Sequence, residues 1–181
     1  MQEKDFVKVL SPRVACLIVS KNCEGKINAA PYSFVYPISF EPPLIGIGVG
    51  KHKMTFKNIA ETKEFTVNVI SENFAQQAVN CEEKIKFDKR IEKNQLHLEE
   101  SEKISVPRIA ESKAVMECVL SEVIELKEAD HVIVIGKVLG VKAAKKDEMI
   151  DIDSMNYLMH ETGGVFRKVG EKVLLERIKK K

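Results

Sequence analysis

The stretch from Lys26 to Ile70, KINAAPYSFVYPISFEPPLIGIGVGKHKMTFKNIAETKEFTVNVI, decides the fold of this 181-residue chain. It contains two apolar runs, Ile27 to Phe40 and Leu44 to Val49, whose composition is typical of β-strands. Glu41-Pro42-Pro43 separates the runs, and proline cannot donate to a central strand ladder because it has no backbone N–H. The pattern therefore predicts two strands joined by a turn.

A basic loop, Gly50-Lys51-His52-Lys53, ends the second run. Behind it, Met54 to Ala60 has apolar residues at the spacing of a short amphipathic helix, which Thr55 could cap. A helix N-terminus, a hydroxyl group and two lysines all favour a dianionic phosphate. Taken alone, these residues fit an exposed basic turn before an ordinary helix better than a phosphate site, because surface lysines are usually solvated.

The strand before this loop favours the phosphate interpretation. Between Asn28 and Phe34, small residues would let a flat ring approach the backbone, and Asn28 and Ser33 offer hydrogen-bonding groups beside an apolar wall. A planar heteroaromatic ligand with a phosphate tail would suit the strand and the basic loop together. The residues expected to bind it are Asn28, Ala30, Pro31, Tyr32, Ser33, Gly48, Lys51, His52, Lys53 and Thr55, with His52 as a neighbour of the phosphate.

Several further motifs occur in the order and spacing of a known family. They are Ser11 to Val19, Gly25 to Pro31, Pro42 to Ile45, Thr55 with Asn58-Ile59, Glu64 to Val69, Ala114 to Cys118 and Ala129 to Val138. In these motifs the chain resembles the flavin reductase-like FMN-binding split-barrel proteins, in particular the branch with flavoredoxin and the archaeal ferric reductase. It departs from the family pattern at Ala129-Asp130-His131, where members often have Gly-Asp-His, and at Ser105-Val106-Pro107, where they often have Gly-x-Pro.

The resemblance implies a fold, a cofactor and an assembly. The fold would be mainly β with short helices, a split β-barrel of the FMN-binding type, as a single domain over residues 1–181. The cofactor would be FMN, held at the subunit interface of a homodimer.

The function implied by the resemblance is that of an FMN-dependent oxidoreductase. It would take electrons from NADPH, NADH or a protein donor and pass them to free flavin, a ferric chelate or a redox partner. No Gly-x-Gly-x-x-Gly motif follows a predicted strand, so a nicotinamide would dock transiently against FMN. The alternative is a flavoredoxin-type FMN-binding electron-transfer protein without NAD(P)H activity of its own. A ligand-sensing barrel that binds no flavin is a more distant alternative.

His131 is the candidate catalytic residue. Its imidazole can titrate near neutral pH, so beside a flavin it could donate a hydrogen bond, carry a proton or neutralise the reduced ring. It could equally be a structural histidine that caps a strand turn next to Asp130. The resemblance favours the active role, whereas His97 and His160 are expected to be surface residues.

The remaining segments carry weaker signals. Residues 82–107 form a charged excursion, which could cover the cofactor mouth and select the substrate, or could be a solvated loop. Met116 to Leu126 and Val132 to Val141 predict two long antiparallel strands. Cys16 and Cys118 are expected in the core and Cys23 on the surface, where it could be redox-active or incidental; no metal site is predicted.

Composition narrows the class of protein. The hydrophobic fraction of 44% is enough for one ordinary core, and a net charge of +2 shows no broad basic surface for nucleic acid. No apolar run approaches the roughly 20 residues that span a bilayer, and the charged start of the chain is unlike a signal peptide. We therefore expect a cytoplasmic protein that binds neither nucleic acid nor membrane.

Overall fold

The computed structural model of the chain describes residues 3–175. Its helices are α1 (Phe6–Val9), α2 (Met54–Thr62), α3 (Ala75–Asn80) and α4 (Arg90–Lys93), with 3-10 turns at Glu3–Asp5, Phe87–Lys89 and Asp153–Met155. Its strands are β1 (Arg13–Val14), β2 (Cys16–Lys21), β3 (Ile27–Tyr32), β4 (Val35–Ser39), β5 (Leu44–Gly50), β6 (Glu64–Val69), β7 (Leu98–Glu99), β8 (Arg108–Ile109), β9 (Ala114–Glu125), β10 (His131–Ala143), β11 (Lys145–Lys146), β12 (Met149–Ile150), β13 (Leu158–Thr162) and β14 (Val165–Lys168).

Seven of these strands form one large antiparallel sheet, in the order β3-β2-β6-β9-β10-β5-β4. Its two outer strands, β3 and β4, are consecutive in the chain and are joined only by Ser33 and Phe34. Because the chain from Tyr32 to Val35 can span only about 11 Å, the first and last strands must lie close together. The sheet therefore curls into a barrel that stays open between β3 and β4, as expected for a split β-barrel.

The second strand of the chain is buried on both faces. Cys16 and Ile18 point into one core cluster with β5, β6 and β10, whereas Leu17 and Val19 pack against a second cluster outside the barrel. A strand buried on both faces needs apolar side chains at successive positions, which explains its continuous apolar sequence. Each large side chain removed from water contributes roughly 1.5–3 kcal/mol to folding.

The structure confirms most of the predicted elements and corrects one. Leu44 to Val49 lies within β5, Met54 to Ala60 lies within α2, and the two long late strands pair as β9 and β10. The run from Ile27 to Phe40 is two strands instead of one. It breaks at Ser33-Phe34, because these residues carry the chain from one edge of the sheet to the other.

The charged excursion at residues 82–107 is a packed cover. Leu96, Ile104 and Val106 are buried and extend the second core cluster. The Glu117 carboxylate, itself 4% exposed, accepts backbone hydrogen bonds from Glu102 and Lys103 and so ties the excursion to β9. These contacts rule out the alternative that residues 82–107 form a solvated loop.

A smaller sheet, β1-β13-β14, lies beside the barrel opening. Arg13 of β1 pairs with His160 of β13, and His160 also contacts Ser33 at the end of β3. His160 is half-buried, so it is more closely packed than a freely exposed surface histidine. Within residues 3–175, no helix has both the length and the apolar character needed to cross a bilayer.

The cysteines lie where the sequence predicted. Cys16 and Cys118 are buried, and burial raises the pKa of each thiol to about 12. Cys23 is exposed, and its hydrogen bond with the Glu61 side chain raises the pKa of the thiol. All three thiols therefore stay protonated near neutral pH, which gives Cys23 little thiolate character.

Candidate functional site

A cavity of about 360 Å³ lies where β3, the start of α2 and α4 meet. We call it the α2 cavity. It brings together a large part of the predicted cofactor-binding set, namely Asn28, Ala30, Pro31, Tyr32, Lys53 and Thr55. Met54, Cys81, Glu82 and Arg90 complete its lining.

The first turn of α2 faces this cavity without a side-chain cap. Lys53 is the N-cap residue in an extended conformation, and no side chain within residues 3–175 hydrogen-bonds to the helix start. The prediction that Thr55 caps the helix was wrong, because Thr55 is already inside the helix. The uncapped N–H groups and the helix dipole leave a positive potential at the cavity wall.

A buried polar network fixes the position of Thr55. Asn28 Nδ2 donates to Thr55 Oγ1 over 3.0 Å, and Asn58 Nδ2 donates to Ser20 Oγ over 3.3 Å. Asn28, Ser20, Thr55 and Asn58 are each at most 1% exposed. Because unpaired polar groups are costly at this depth, the network holds the cavity floor in one arrangement.

Arg90 is a site residue that sequence reasoning missed. It reaches the α2 cavity from α4, where its Nη1 lies 3.0 Å from Asn28 Oδ1 and 3.3 Å from the Ala29 carbonyl oxygen. Its Nε is buried and has no hydrogen-bond partner among the described residues. No local signal distinguished it from the other cations of a Lys-rich excursion, so only the folded chain identifies it.

The cations of the α2 cavity face few ionised acidic groups. Arg90 and Lys53 line it together with the start of α2, and Glu82 is its one acidic lining residue within the described chain. Burial raises the pKa of the Cys81 thiol to about 11 and also raises the pKa of Tyr32, partly opposed by hydrogen bonding to Thr55. Both groups are therefore neutral near pH 7, and the cavity suits an anion.

A second, largely apolar cavity of about 650 Å³ contains His131, Ser33 and Gly48. We call it the His131 cavity. The His131 side chain is 44% exposed, and its Nδ1 lies 2.7 Å from Asp130 Oδ1. That hydrogen bond is the main reason why the pKa of Asp130 is lowered. His131 is thus both beside Asp130, as the structural interpretation requires, and open to a cavity, as the catalytic one requires.

Lys51 and His52 do not line either cavity. The backbone N–H of Lys51 donates to the Asp130 carbonyl, and its Nζ donates to the Leu126 carbonyl over 3.1 Å. The Lys51 side chain therefore lies against the turn between β9 and β10, and His52 is exposed. Of the predicted basic loop, only Lys53 reaches the α2 cavity.

Lys53 and His131 both lie next to Gly50. A Cβ atom at Gly50 would stand 3.2 Å from Lys53 Cγ and 4.0 Å from His131 Nε2. Because Gly50 has no side chain, Lys53 and His131 can both lie close to its backbone. His131 is thereby placed near the cationic side of the α2 cavity although it belongs to a different cavity.

A third, small cavity of about 70 Å³ lies between the other two along β3. It shares Pro31, Tyr32 and Glu82 with the α2 cavity and shares Ser33 with the His131 cavity. His160 and Phe166 of the small sheet form its far wall. We call the three adjoining cavities the β3 trough. It runs from a cationic end at α2 to a partly apolar end at Ser33 and His131.

The family model described as the flavin reductase like domain matches residues 10–165. The chain belongs to the flavin reductase-like family. Nitrilotriacetate monooxygenase component B from Bacillus cereus is 30% identical with a TM-score of 0.88, over 97% of this chain and 95% of that chain. A 2-nitrobenzoate 2-nitroreductase from Pseudomonas fluorescens is 28% identical with a TM-score of 0.81, over 97% and 92% of the two chains. An uncharacterized protein of Halalkalibacterium halodurans is 33% identical over 95% of this chain and 88% of that protein.

Membership of the flavin reductase-like family confirms the resemblance seen in the sequence motifs. It also agrees with the mainly β split barrel and with a flavin-related oxidoreductase. In this flavin reductase-like chain, the uncapped α2 start, Lys53 and the unpartnered Arg90 Nε fit the phosphate of FMN. The flat, small-residue surface of β3 fits its ring.

Proposed function

We propose that this protein is an FMN-dependent oxidoreductase that takes electrons from NADPH or NADH and passes them to flavin, a ferric chelate or a redox partner. The observation that carries the proposal is the β3 trough, which joins an anion-binding end to an end with Ser33, His131 and His160. FMN supplies the redox chemistry when bound, because it accepts a hydride and returns electrons singly or in pairs. The protein has to bind, orient and supply protons.

The cationic end of the β3 trough would hold the phosphate. The start of α2 supplies backbone donors, Thr55 is fixed by Asn28, and Lys53 and Arg90 supply positive charge. An Arg side chain with a buried, unpartnered Nε is costly in the absence of an anion. A phosphate within reach of that atom would remove the cost and add a charge-assisted hydrogen bond.

The proposed acid or base at the other end is His131. Its Nδ1 is held by Asp130, which orients the ring and leaves Nε2 toward Gly50 and the His131 cavity. A histidine held in this way can pass a proton to a ligand in the cavity or stabilise negative charge on it.

The names of two relatives support a reductive role with a partner. One relative is a component of a monooxygenase and another is a nitroreductase. For this chain, we accordingly propose a small-molecule acceptor or a second protein as the destination of the electrons. An electron carrier without NAD(P)H activity is the alternative to be tested.

We further propose a homodimer with FMN at its interface. The edge strand β4 exposes Tyr36 and Ile38 at 41% and 43%, and Phe40 follows fully exposed. The adjoining His131 cavity is lined by further apolar side chains, including Phe6, Leu10 and Leu126. An apolar surface of this kind around a ligand site is suited to a second copy of the chain.

The experiment that tests the proposed function is an absorption spectrum of the FMN-loaded protein, recorded anaerobically before and after NADPH and then NADH. We expect the flavin bands to bleach with at least one nucleotide. Bands that persist with both nucleotides but bleach with a reduced ferredoxin would favour the electron carrier. A colourless protein that takes up no added FMN would contradict the flavin function itself.

A further inference from the structure

We propose that Ser33 and His160 form a proton relay that serves the electron acceptor bound in the β3 trough. The proposal rests on the proposed function, since the electrons come from the reduced protein. It narrows the acceptor to organic molecules that take up protons with their electrons, such as quinones, nitro compounds or flavins, in preference to metal chelates.

The hydrogen bonds of His160 define which ring nitrogen carries its proton. Nε2 lies 3.1 Å from the carbonyl oxygen of Gly163, and Nδ1 lies 3.1 Å from Ser33 Oγ. A carbonyl oxygen can only accept, so Nε2 carries the hydrogen. In the neutral ring Nδ1 is then an acceptor, and the Ser33 hydroxyl donates to it.

Protonation of His160 reverses this hydrogen bond. The imidazolium carries hydrogen on both nitrogens, so Nδ1 donates to Ser33 Oγ and the hydroxyl hydrogen becomes free to point elsewhere. Ser33 lines both the small cavity and the His131 cavity. In that state the hydroxyl hydrogen is available to a ligand bound in the β3 trough.

Proton delivery through this pair leaves the serine unchanged. Ser33 Oγ gives its hydrogen to the acceptor while it receives the hydrogen of His160 Nδ1, and the ring returns to the neutral Nε2–H form. A quinone takes up two electrons and two protons in total. The reduced protein supplies both electrons, and the relay supplies one proton. The buffered solvent supplies the second proton to the quinone and a further proton that returns His160 to the imidazolium form, so two solvent protons are consumed for each quinone.

The fold brings the two residues together although 127 positions separate them in the chain. Ser33 lies in the two-residue link between β3 and β4, and its hydroxyl contacts His160 Nδ1. His160 lies on β13, and the Phe166 ring packs on the imidazole with centroids 5.2 Å apart. Two hydrogen bonds and the Phe166 ring thus fix the position of the His160 imidazole, which a relay requires.

Charged groups lie close to His160 on the neighbouring strands and in the small cavity. Arg13 is its pairing partner on β1, and this guanidinium also lies over the Phe34 ring at 5.4 Å. Glu82 and Tyr32 line the same small cavity. Glu161, the next residue on β13, is paired with Arg167 of β14.

The test compares two acceptors with the variants His160→Gln and Ser33→Ala. Ferricyanide takes one electron and no proton, whereas a benzoquinone takes both. We expect each variant to slow oxidation of the reduced protein by the quinone about 100-fold, since general acid catalysis contributes on that order. Oxidation by ferricyanide is the internal reference for each variant, because weaker FMN binding would slow both reactions, so we expect the ratio of the quinone rate to the ferricyanide rate to fall. His97→Gln is the matched control, because His97 is exposed and contacts Glu111.

A second readout needs no cofactor. In ¹⁵N–¹H spectra of the histidine rings, His160 should be in the Nε2–H form, and Ser33→Ala should shift its Nδ1 resonance because the hydroxyl donor is lost. Equal loss of both acceptor activities, or no loss of quinone activity in variants that bind FMN normally, would overturn the relay. Failure of the wild-type protein to bind FMN would contradict the proposed function instead.

Discussion

Arg90 Nη1 donates a hydrogen bond to Asn28 Oδ1 over 3.0 Å, although 62 residues separate the two side chains in the chain. Through this contact the charged excursion supplies a cation to a cavity whose floor belongs to the barrel. The excursion is therefore part of the candidate site as well as part of the packed core.

Replacement of Arg90 tests its part in anion binding. We expect Arg90→Ala to weaken FMN binding by about 1.5–3 kcal/mol, roughly 10- to 150-fold in Kd, because charge-assisted hydrogen bonds are lost. Titration of FMN fluorescence measures this change. Lys89→Ala is the control, since Lys89 is exposed one residue away and pairs with Glu92. Equal affinities of the two variants would place the phosphate elsewhere.

The start of α2 makes a separate contribution. Thr55→Val combined with Lys53→Ala should weaken FMN binding by roughly 2–4 kcal/mol if both residues contact the phosphate. Calorimetric titration provides the measurement, and Lys57→Ala on the exposed face of α2 is the control. Unchanged affinity of the double variant would remove the α2 cavity from the binding site.

A substitution at Gly136 tests the packing inside the barrel. A Cβ atom there would overlap Cζ of the buried Phe65 ring and stand 3.3 Å from Cys118 Cβ. We expect Gly136→Ala to lower the free energy of unfolding by about 1–3 kcal/mol, the usual cost of overpacking. Gly164→Ala is the control, because a Cβ at Gly164 meets no atom within 4 Å. Urea unfolding that gives equal midpoints would contradict this account of the core.

Glu99 gives the fold a defined acid sensitivity. Hydrogen bonds from Arg108, and then from Lys142, lower the pKa of Glu99 from 4.5 to about 2. A carboxyl with a lowered folded pKa stabilises the fold above its unfolded pKa. That contribution should therefore be complete above pH 4.5 and decline as the pH falls toward 2.

The variant Glu99→Gln should reduce the loss of stability over this pH range. Urea unfolding of wild type and variant, measured at several pH values between 2 and 5, makes the comparison. Glu100→Gln is the control because Glu100 is the exposed neighbour of Glu99. The same pH dependence in wild type and Glu99→Gln would show that the ion pairs of Glu99 do not contribute.

A substitution in the edge strand β4 tests the proposed dimer. A charge in place of Ile38 should prevent burial of this surface, so Ile38→Lys is expected to be a monomer in sedimentation and to bind FMN less tightly. Lys137→Glu serves as the control, because Lys137 is an exposed residue of the same sheet. A wild-type protein that sediments as a monomer with FMN bound would refute the dimer.

The sequence by itself determined the elements of the barrel. The continuous apolar run of β5 and the amphipathic spacing of α2 are local patterns, and each was recovered in the structure. The motifs in their order also identified the family. Local patterns suffice for these elements because the spacing of apolar side chains along a strand or a helix face is set by residues close in sequence.

Only the tertiary structure decided how the candidate site is assembled. Closure of the sheet placed Ser33 at the barrel opening, and packing of distant segments brought Arg90 to Asn28 and His160 to Ser33. Contacts with the turn between β9 and β10 hold Lys51 away from the α2 cavity. The spacing of polar side chains in such distant segments does not reveal which residues they will contact. These contacts form only when the apolar faces of the same segments pack against the barrel.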